Sequence, residues 1–328
     1  MHIRPTPQVP AKVFITGANG FIAKNLADRL RELGAQVSGV DLVAAPADGV
    51  VAGSILDPDA WADQLSGVDV VIHTAALVSN DAPLDKAWEV NVLGTQRVLR
   101  AAAAAGVKRF VHLSSIAAYG FEFPDGVDER DPVRVSGYSY VDTKVNSEAV
   151  VLAAHAAGEI DVTIIRPGDV WGPASKPWTI IPLEMIKKGQ LILPAGGRGI
   201  FSPVYIDNFV DGMVLAVAAD AAVGQIFILT DGYGMSCAEY FGRLAAMTGG
   251  KVRTLPTPLA LALATVGGAV QRRLGRHSEL SAATIGMLNR KGTYSIDKAR
   301  NVLGFEPVVS FDDGMARVER WARAEGLI

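Results

Sequence analysis

Cysteine is nearly missing from this chain of 328 residues, which carries only Cys237. One thiol can neither close an intrachain disulfide nor build a thiolate metal site, so a reducing, cytoplasmic setting is expected. The five histidines (His2, His73, His112, His155 and His277) are scattered without ligand spacing, and no metal is expected. An excess of charge is lacking too. With 31 basic against 34 acidic side chains the net charge is −3, leaving no field to hold a phosphate backbone, so nucleic acid is not an expected partner. The apolar-rich run Thr254–Val270 has seventeen uncharged residues with two Pro and two Gly, short of the roughly 20 that span a bilayer. The apolar run Val13–Ile15 is too brief for a secretory signal. No Gly-x-Ser-x-Gly elbow marks a hydrolase. What is present is 49% hydrophobic residues against 20% charged, enough to bury a sizeable core in one large domain with a lobe, or about two domains.

The first half alternates short β-branched runs with longer segments of helical period. Apolar runs at Lys12–Thr16, Gln36–Val40, Val68–His73, Lys108–Leu113 and Asp161–Ile165 enclose helical patterns at Phe21–Leu33, Leu84–Ala105 and Ser139–Ala157. Strands that are apolar throughout predict a parallel sheet covered on both faces, and the alternation predicts a doubly wound α/β fold. The nucleotide-binding domain is expected over residues 11–172. After Arg166 proline and glycine break the chain into short pieces. The runs Val204–Ile206 and Gln225–Leu229 are expected to rejoin the sheet, and residues 173–202 and 231–328 to form a smaller substrate-binding lobe.

Val13–Ala23 has the form of a strand, a glycine turn and a helix start. Gly17 permits the tight turn, Gly20 lets the backbone approach a pyrophosphate, and the N–H groups near Phe21 and Ile22 would face that anion. Two glycines in such a turn are a weak signal alone. The context strengthens it, because Asp41 follows 24 residues after Gly17 at the end of the second run. A carboxylate there can accept hydrogen bonds from both adenine-ribose hydroxyls and repels a 2′-phosphate. The next residue, Leu42, brings no compensating cation, so NAD is expected over NADP.

Tyr140 and Lys144 stand at i and i+4 of a helical segment. A phenol near pKa ~10 is a poor base at neutral pH, and a neighbouring ammonium and an oxidised nicotinamide are both expected to favour the phenolate. Most such pairs on helices are only a surface cation beside a packed ring. Here the run Val111–Ser115 precedes them and ends in hydroxyls at a strand's carboxyl edge, where open α/β sheets bind ligands. Ser115 could hold a substrate oxygen for proton exchange with Tyr140; its blander role is to cap the next turn.

With these residues in place, the sequence resembles the extended short-chain dehydrogenases/reductases, of the NAD-dependent epimerase/dehydratase superfamily. The matching pieces run in order: Thr16–Ala23, Ile72–Ala76, Asn91–Thr95, Ser114–Gly120, Tyr140–Lys144, Arg166–Pro173, Tyr205–Asn208 and Asp297–Gly304. The resemblance implies Tyr140 as acid/base, Ser115 as ligand of the substrate oxygen, and Lys144 as ribose ligand and support of the phenolate. Pro167, Gly168 and Val170 would line the nicotinamide, and Thr74, Ala75 and Ala76 would run along the dinucleotide. It also assigns Asn19, Leu42, Ser54, Ile55 and Asn91 to the cofactor, and Val78 and Trp171, with Ser115 and Tyr140, to the substrate. Ser54 departs from the family's usual adenine-side Asp. The family's dimer would form through a four-helix contact of residues 84–105 and 139–157.

Sugar dehydratases of this family carry an Asp-Glu pair where this chain has Ile116 and Ala117, so dehydration is excluded. Phe201 and Ser202 stand where its nucleotide-sugar enzymes usually carry an arginine for the diphosphate, although Arg198 is near in sequence. The branch resembling 3β-hydroxysteroid dehydrogenases and dihydroflavonol reductases fits best. An NAD-dependent oxidoreductase that interconverts a secondary alcohol and a ketone on an apolar skeleton is expected. The alternatives are a nucleotide-sugar 4-epimerase using the same residues and a non-catalytic NAD-binding sensor. The run Leu255–Val270 is read as a buried lobe helix or a cover for an apolar ligand. A membrane-contacting helix, with Arg272, Arg273 and Arg276 behind it, is the less favoured reading.

Overall fold

The computed structural model describes residues 7–273 and 281–328, so His2, Arg276 and His277 lie outside the described residues. Seven strands form the main sheet: β1 (Lys12–Thr16), β2 (Gln36–Asp41), β3 (Val50–Ala52), β4 (Val70–His73), β5 (Arg109–Leu113), β6 (Asp161–Pro167) and β7 (Gln225–Leu229). All pairs are parallel, in the order β7-β6-β5-β4-β1-β2-β3. The winding reverses between β1 and β4, which opens a crevice at the carboxyl ends of those strands. The doubly wound α/β expectation is met.

The apolar runs are continuous because successive side chains feed opposite cores. Val13 and Ile15 of β1 enter one cluster and Phe14 the other; Ile72 and Val71 of β4 divide in the same way. Helices α1 (Phe21–Glu32), α2 (Leu84–Trp88), α3 (Thr95–Ala104) and α4 (Ser139–Ala156) lie in the first half. After β6 come α5 (Ile181–Lys187), α6 (Ile206–Ala218), α7 (Cys237–Thr248), α8 (Thr257–Arg273), α9 (Ala282–Met287) and α10 (Phe311–Ala324). Leu26 and Leu30 of α1 share the first core with Val210 and Val214 of α6, while Val98 of α3 and Val151 of α4 fill the second.

Three features depart from the sequence expectation. The segment expected as one helix over 84–105 is interrupted by a wider, π-type turn at Glu89–Gly94. Pro203–Tyr205 does not rejoin the main sheet but pairs in parallel with Asp169–Trp171 in a separate two-stranded ladder. Gly168 makes that possible, since a Cβ there would lie 2.6 Å from the Ser202 carbonyl oxygen. The run Leu255–Val270 is helical, yet Leu259, Leu261, Leu263 and Val266 are exposed, and the residues turned inward are Ala260 and Ala264.

Candidate active site

The glycine turn leads from β1 into α1 under backbone control. Gly17 has φ +70°, and its N–H donates to the Val40 carbonyl at 2.9 Å. A Cβ there would stand 2.8 Å from Ala75 Cα, so the turn abuts the segment after β4 and tolerates no side chain. Gly20 caps α1 without a side-chain bond and without an acidic residue in the first turn, which leaves the helix N-terminus free for an anion. Asp41 ends β2, where its carboxylate accepts the N–H groups of Asn19 (2.9 Å) and Leu42 (2.7 Å). The Asn19 amide donates to the Val43 carbonyl at 2.7 Å, fixing the β2 edge against the turn. Each carboxylate oxygen of Asp41 still has acceptor capacity for a ribose hydroxyl. The cradle fits an NAD pyrophosphate and adenosine ribose.

Other predicted cofactor residues frame the same crevice. Thr74 donates its hydroxyl to the Thr16 carbonyl at 2.7 Å, which holds the Thr74–Ala76 segment along β1. The Ser54 hydroxyl accepts the Leu56 N–H at 3.1 Å, which leaves its own O–H to donate, and Ile55 packs against Gly94. Asn91 is buried, with its side-chain oxygen accepting from Leu77 N–H (2.7 Å) and its amide donating to the Leu77 carbonyl and to Thr143 Oγ1 (both 3.0 Å). Both of its amide hydrogens serve to align the post-β4 segment with α4. The π-type turn aims it there.

Ser115, Tyr140 and Lys144 converge where β5 meets α4. Lys144 is buried and donates from Nζ to the Leu113 carbonyl at 2.8 Å, with Nζ 5.8 Å from the centre of the Tyr140 ring. Burial pulls its ammonium down to about 8, against an upward pull from the Glu148 charge. Burial pushes the half-buried Tyr140 phenol up to about 12, and its hydrogen bond with Ser115 opposes that rise. The loss of solvation is the larger of these two influences and favours the phenol, the proton-donating form. Ser115 also accepts the Ala117 N–H at 3.1 Å, so it caps the turn Ile116–Tyr119 as well as facing the phenol.

Ser114 is turned away, donating to Glu148 at 2.5 Å. Glu148 in turn holds Arg166 through two bonds of 2.9 and 2.6 Å, and Arg166 donates to the Tyr119 hydroxyl at 2.5 Å. This buried network beneath the site was not assigned from sequence. The signal was there, since Glu148 lies four residues after Lys144 and Arg166 sits within a matching motif. Gly168 and Val170 follow β6 at the same edge, joined to the sheet by the Gly168 N–H on the Leu229 carbonyl.

The two extra substrate candidates part company. Val78 is 67% exposed on the segment after β4, open to a ligand. Trp171, expected at the substrate, is enclosed in the interior instead of lining an open surface. It is fully buried, edge-on to Tyr205 and Tyr240, and Gly314 of α10 lies against its ring. His73 and His112 also serve the interior: His73 bonds Thr16 and Thr95, His112 bonds Ser147, and burial holds His73 neutral with its pKa lowered to about 3.

The model of the NAD dependent epimerase/dehydratase family matches residues 13–229. A ketoreductase from Stigmatella aurantiaca, named for a 4-hydroxy-2-methyl-3-oxo-4-farnesyl-3,4-dihydroquinoline-1-oxide, is 30% identical over 321 residues, covering 93% of this chain and 94% of that protein. A 3-beta-hydroxysteroid dehydrogenase from Mycolicibacterium neoaurum is 27% identical over 328 residues, covering 93% of this chain and 89% of its own length. Among solved structures, a short-chain dehydrogenase/reductase superfamily protein from Agrobacterium tumefaciens with bound NAD superposes with a TM-score of 0.77 at 25% identity, covering 96% of this chain and 98% of its own.

Proposed function

We propose that this chain, which belongs to the NAD-dependent epimerase/dehydratase family, interconverts a secondary alcohol and a ketone on a bulky apolar skeleton, with Ser115, Tyr140 and Lys144 as its catalytic residues. The observation that carries this reading is their convergence at the β5–α4 edge, beside a cradle that suits NAD. Bound NAD(H) supplies or accepts the hydride at the substrate carbon. Tyr140 gives its phenolic proton to the substrate oxygen in reduction and takes it back in oxidation. Ser115 orients that oxygen. Lys144 holds the nicotinamide ribose and places its charge beside the phenolate as it forms. Gly17, Gly20 and the start of α1 bind the pyrophosphate, and Asp41 selects NAD.

Support for an apolar substrate comes from the names of the relatives and from Phe201 standing where the nucleotide-sugar enzymes usually carry an arginine. Phe201 is fully buried against Tyr240 and Trp178, and Arg198 is solvent-exposed. Ile116, buried at the head of the turn, offers no acid for dehydration. We place the enzyme in a reducing compartment, the cytoplasm, since Cys237 is free and buried. A homodimer through the outer faces of α3 and α4 completes the reading.

Nicotinamide absorbance tests it, using NAD or NADP with hydroxysteroids, flavanols, simple secondary alcohols and UDP-sugars. NADH accumulating with an apolar secondary alcohol, and little NADPH, is the expected result. Altered sugar stereochemistry without net NADH overturns it in favour of an epimerase.

A further inference from the structure

Helix α8 has its side chains arranged the wrong way round for a lobe helix. Its inward seam is small, with Ala260 (5% exposed) and Ala264 (1%) against Ile285 of α9. Its large apolar residues point out: Leu259, Leu263 and Val266, at i, i+4 and i+7, are 49%, 49% and 64% exposed, and Leu261 is 37% exposed. An ordinary surface helix buries the leucines and exposes the alanines. The charge around it is one-sided. Between Lys251 and His277 the sequence has five Lys and Arg (Lys251, Arg253, Arg272, Arg273 and Arg276) and no acidic residue, within a chain of net charge −3. Lys251 and Arg253 precede the helix and Arg273 ends it, all three exposed.

An apolar outer face set between basic ends matches the interface of an anionic bilayer, where leucines enter the acyl boundary and cations meet phosphate headgroups. No helix among the described residues is long and apolar enough to cross a membrane, so α8, about 26 Å long, would lie on the surface. We propose that α8 docks the enzyme on an anionic lipid surface, the phase in which an apolar alcohol or ketone is concentrated. The helix is linked to the rim of the site through α9. It packs on α9, whose Thr284 hydroxyl bonds Asn80 at 3.3 Å, two residues from Val78. Gly286 of α9 abuts Phe121, whose ring lies 5.4 Å from Tyr138, two residues before Tyr140.

The proposal extends the apolar-substrate reading, but vesicle binding is scored without turnover, so each can fail without the other. The test is co-sedimentation of the full chain with phosphatidylcholine vesicles, with and without phosphatidylglycerol, over a salt series. Binding to the anionic vesicles, weakened by salt, is expected. Leu259→Ser/Leu263→Ser/Val266→Ser should lower the partition coefficient by about tenfold or more. Lys251→Gln/Arg253→Gln/Arg273→Gln, which changes exposed side chains only, should remove the preference for phosphatidylglycerol, and it keeps the test open if the apolar variant misfolds. Absence of wild-type binding overturns the proposal, as does equal binding by wild type and folded variants. A drop in oligomeric state on apolar substitution, with no vesicle binding, would assign the face to a second copy of the chain.

Discussion

Lys144 holds its charge at a site that disfavours it. Burial brings the ammonium down to about 8, and the Glu148 charge keeps it from falling further. Tyr140 moves the other way, to about 12. The two shifts separate the roles by pH. Below about 8 the chain presents an ammonium beside a phenol, the arrangement that donates a proton to a ketone. Above it Lys144 loses its charge while Tyr140 remains protonated. We therefore expect kcat/KM for ketone reduction to fall as pH rises through about 8, and Lys144→Arg, which stays charged, to lack that limb in whatever rate remains. An unaltered limb in the variant would assign the titration elsewhere. Tyr140→Phe should lower turnover by about 10²- to 10⁴-fold and leave NAD affinity, read by fluorescence titration, nearly intact. Loss of binding instead would show that the ring holds the cofactor. These three residues were legible in sequence because their relation is local: a four-residue step and a strand end. Trp171 was not, because its neighbours Tyr205, Tyr240 and Gly314 come from distant parts of the chain.

At the scale of elements, α4 advances by four residues through Tyr140, Lys144 and Glu148, so one helical face carries the site and its anchor. Glu148 ties that face to Arg166 of β6 and, through Ser114, to the end of β5. Both partners of the ion pair are only 3% exposed. Removing one leaves a buried charge alone, which costs about 3–5 kcal/mol, whereas removing both costs much less than the sum. Urea unfolding of Glu148→Gln, Arg166→Met and the double variant checks this; additive losses would mean that the pair is not coupled. The main strands were readable because a sheet covered on both faces demands continuous apolar runs. The π-type turn at Glu89–Gly94 left no periodic signal, since its mark is a long-range one, Asn91 reaching inward to Leu77 and Thr143. β3 was missed for its three-residue length. Pro203–Tyr205 was misplaced because an apolar run does not reveal its partner, here the Asp169–Trp171 extension of β6 past Gly168.

For the whole molecule, two surfaces compete as contacts, and they have different textures. The sequence around α8, from Lys251 to His277, carries cations and no acid. The α3–α4 face instead combines Trp88, Gln96, Arg100, Asn146, Ala149 and Val150 around a shallow groove, with Leu93 and Leu152 each about one-third exposed nearby. Mixed polar and apolar groups, with Arg100 and Glu159 of opposite charge on the groove, can complement themselves across a two-fold axis, where each patch meets its own copy. A cationic α8 would repel its twin. Association is therefore expected through α3 and α4, which would brace the outer side of the helix bearing Tyr140 and Lys144. Because a two-fold contact brings every substitution in twice, Ala149→Arg on the exposed side of α4 should convert dimer to monomer by light scattering. NAD binding should survive, since each cradle is built within one chain. A wild-type monomer would overturn the association, and an Ala149→Arg protein that remains dimeric would move the contact off this face.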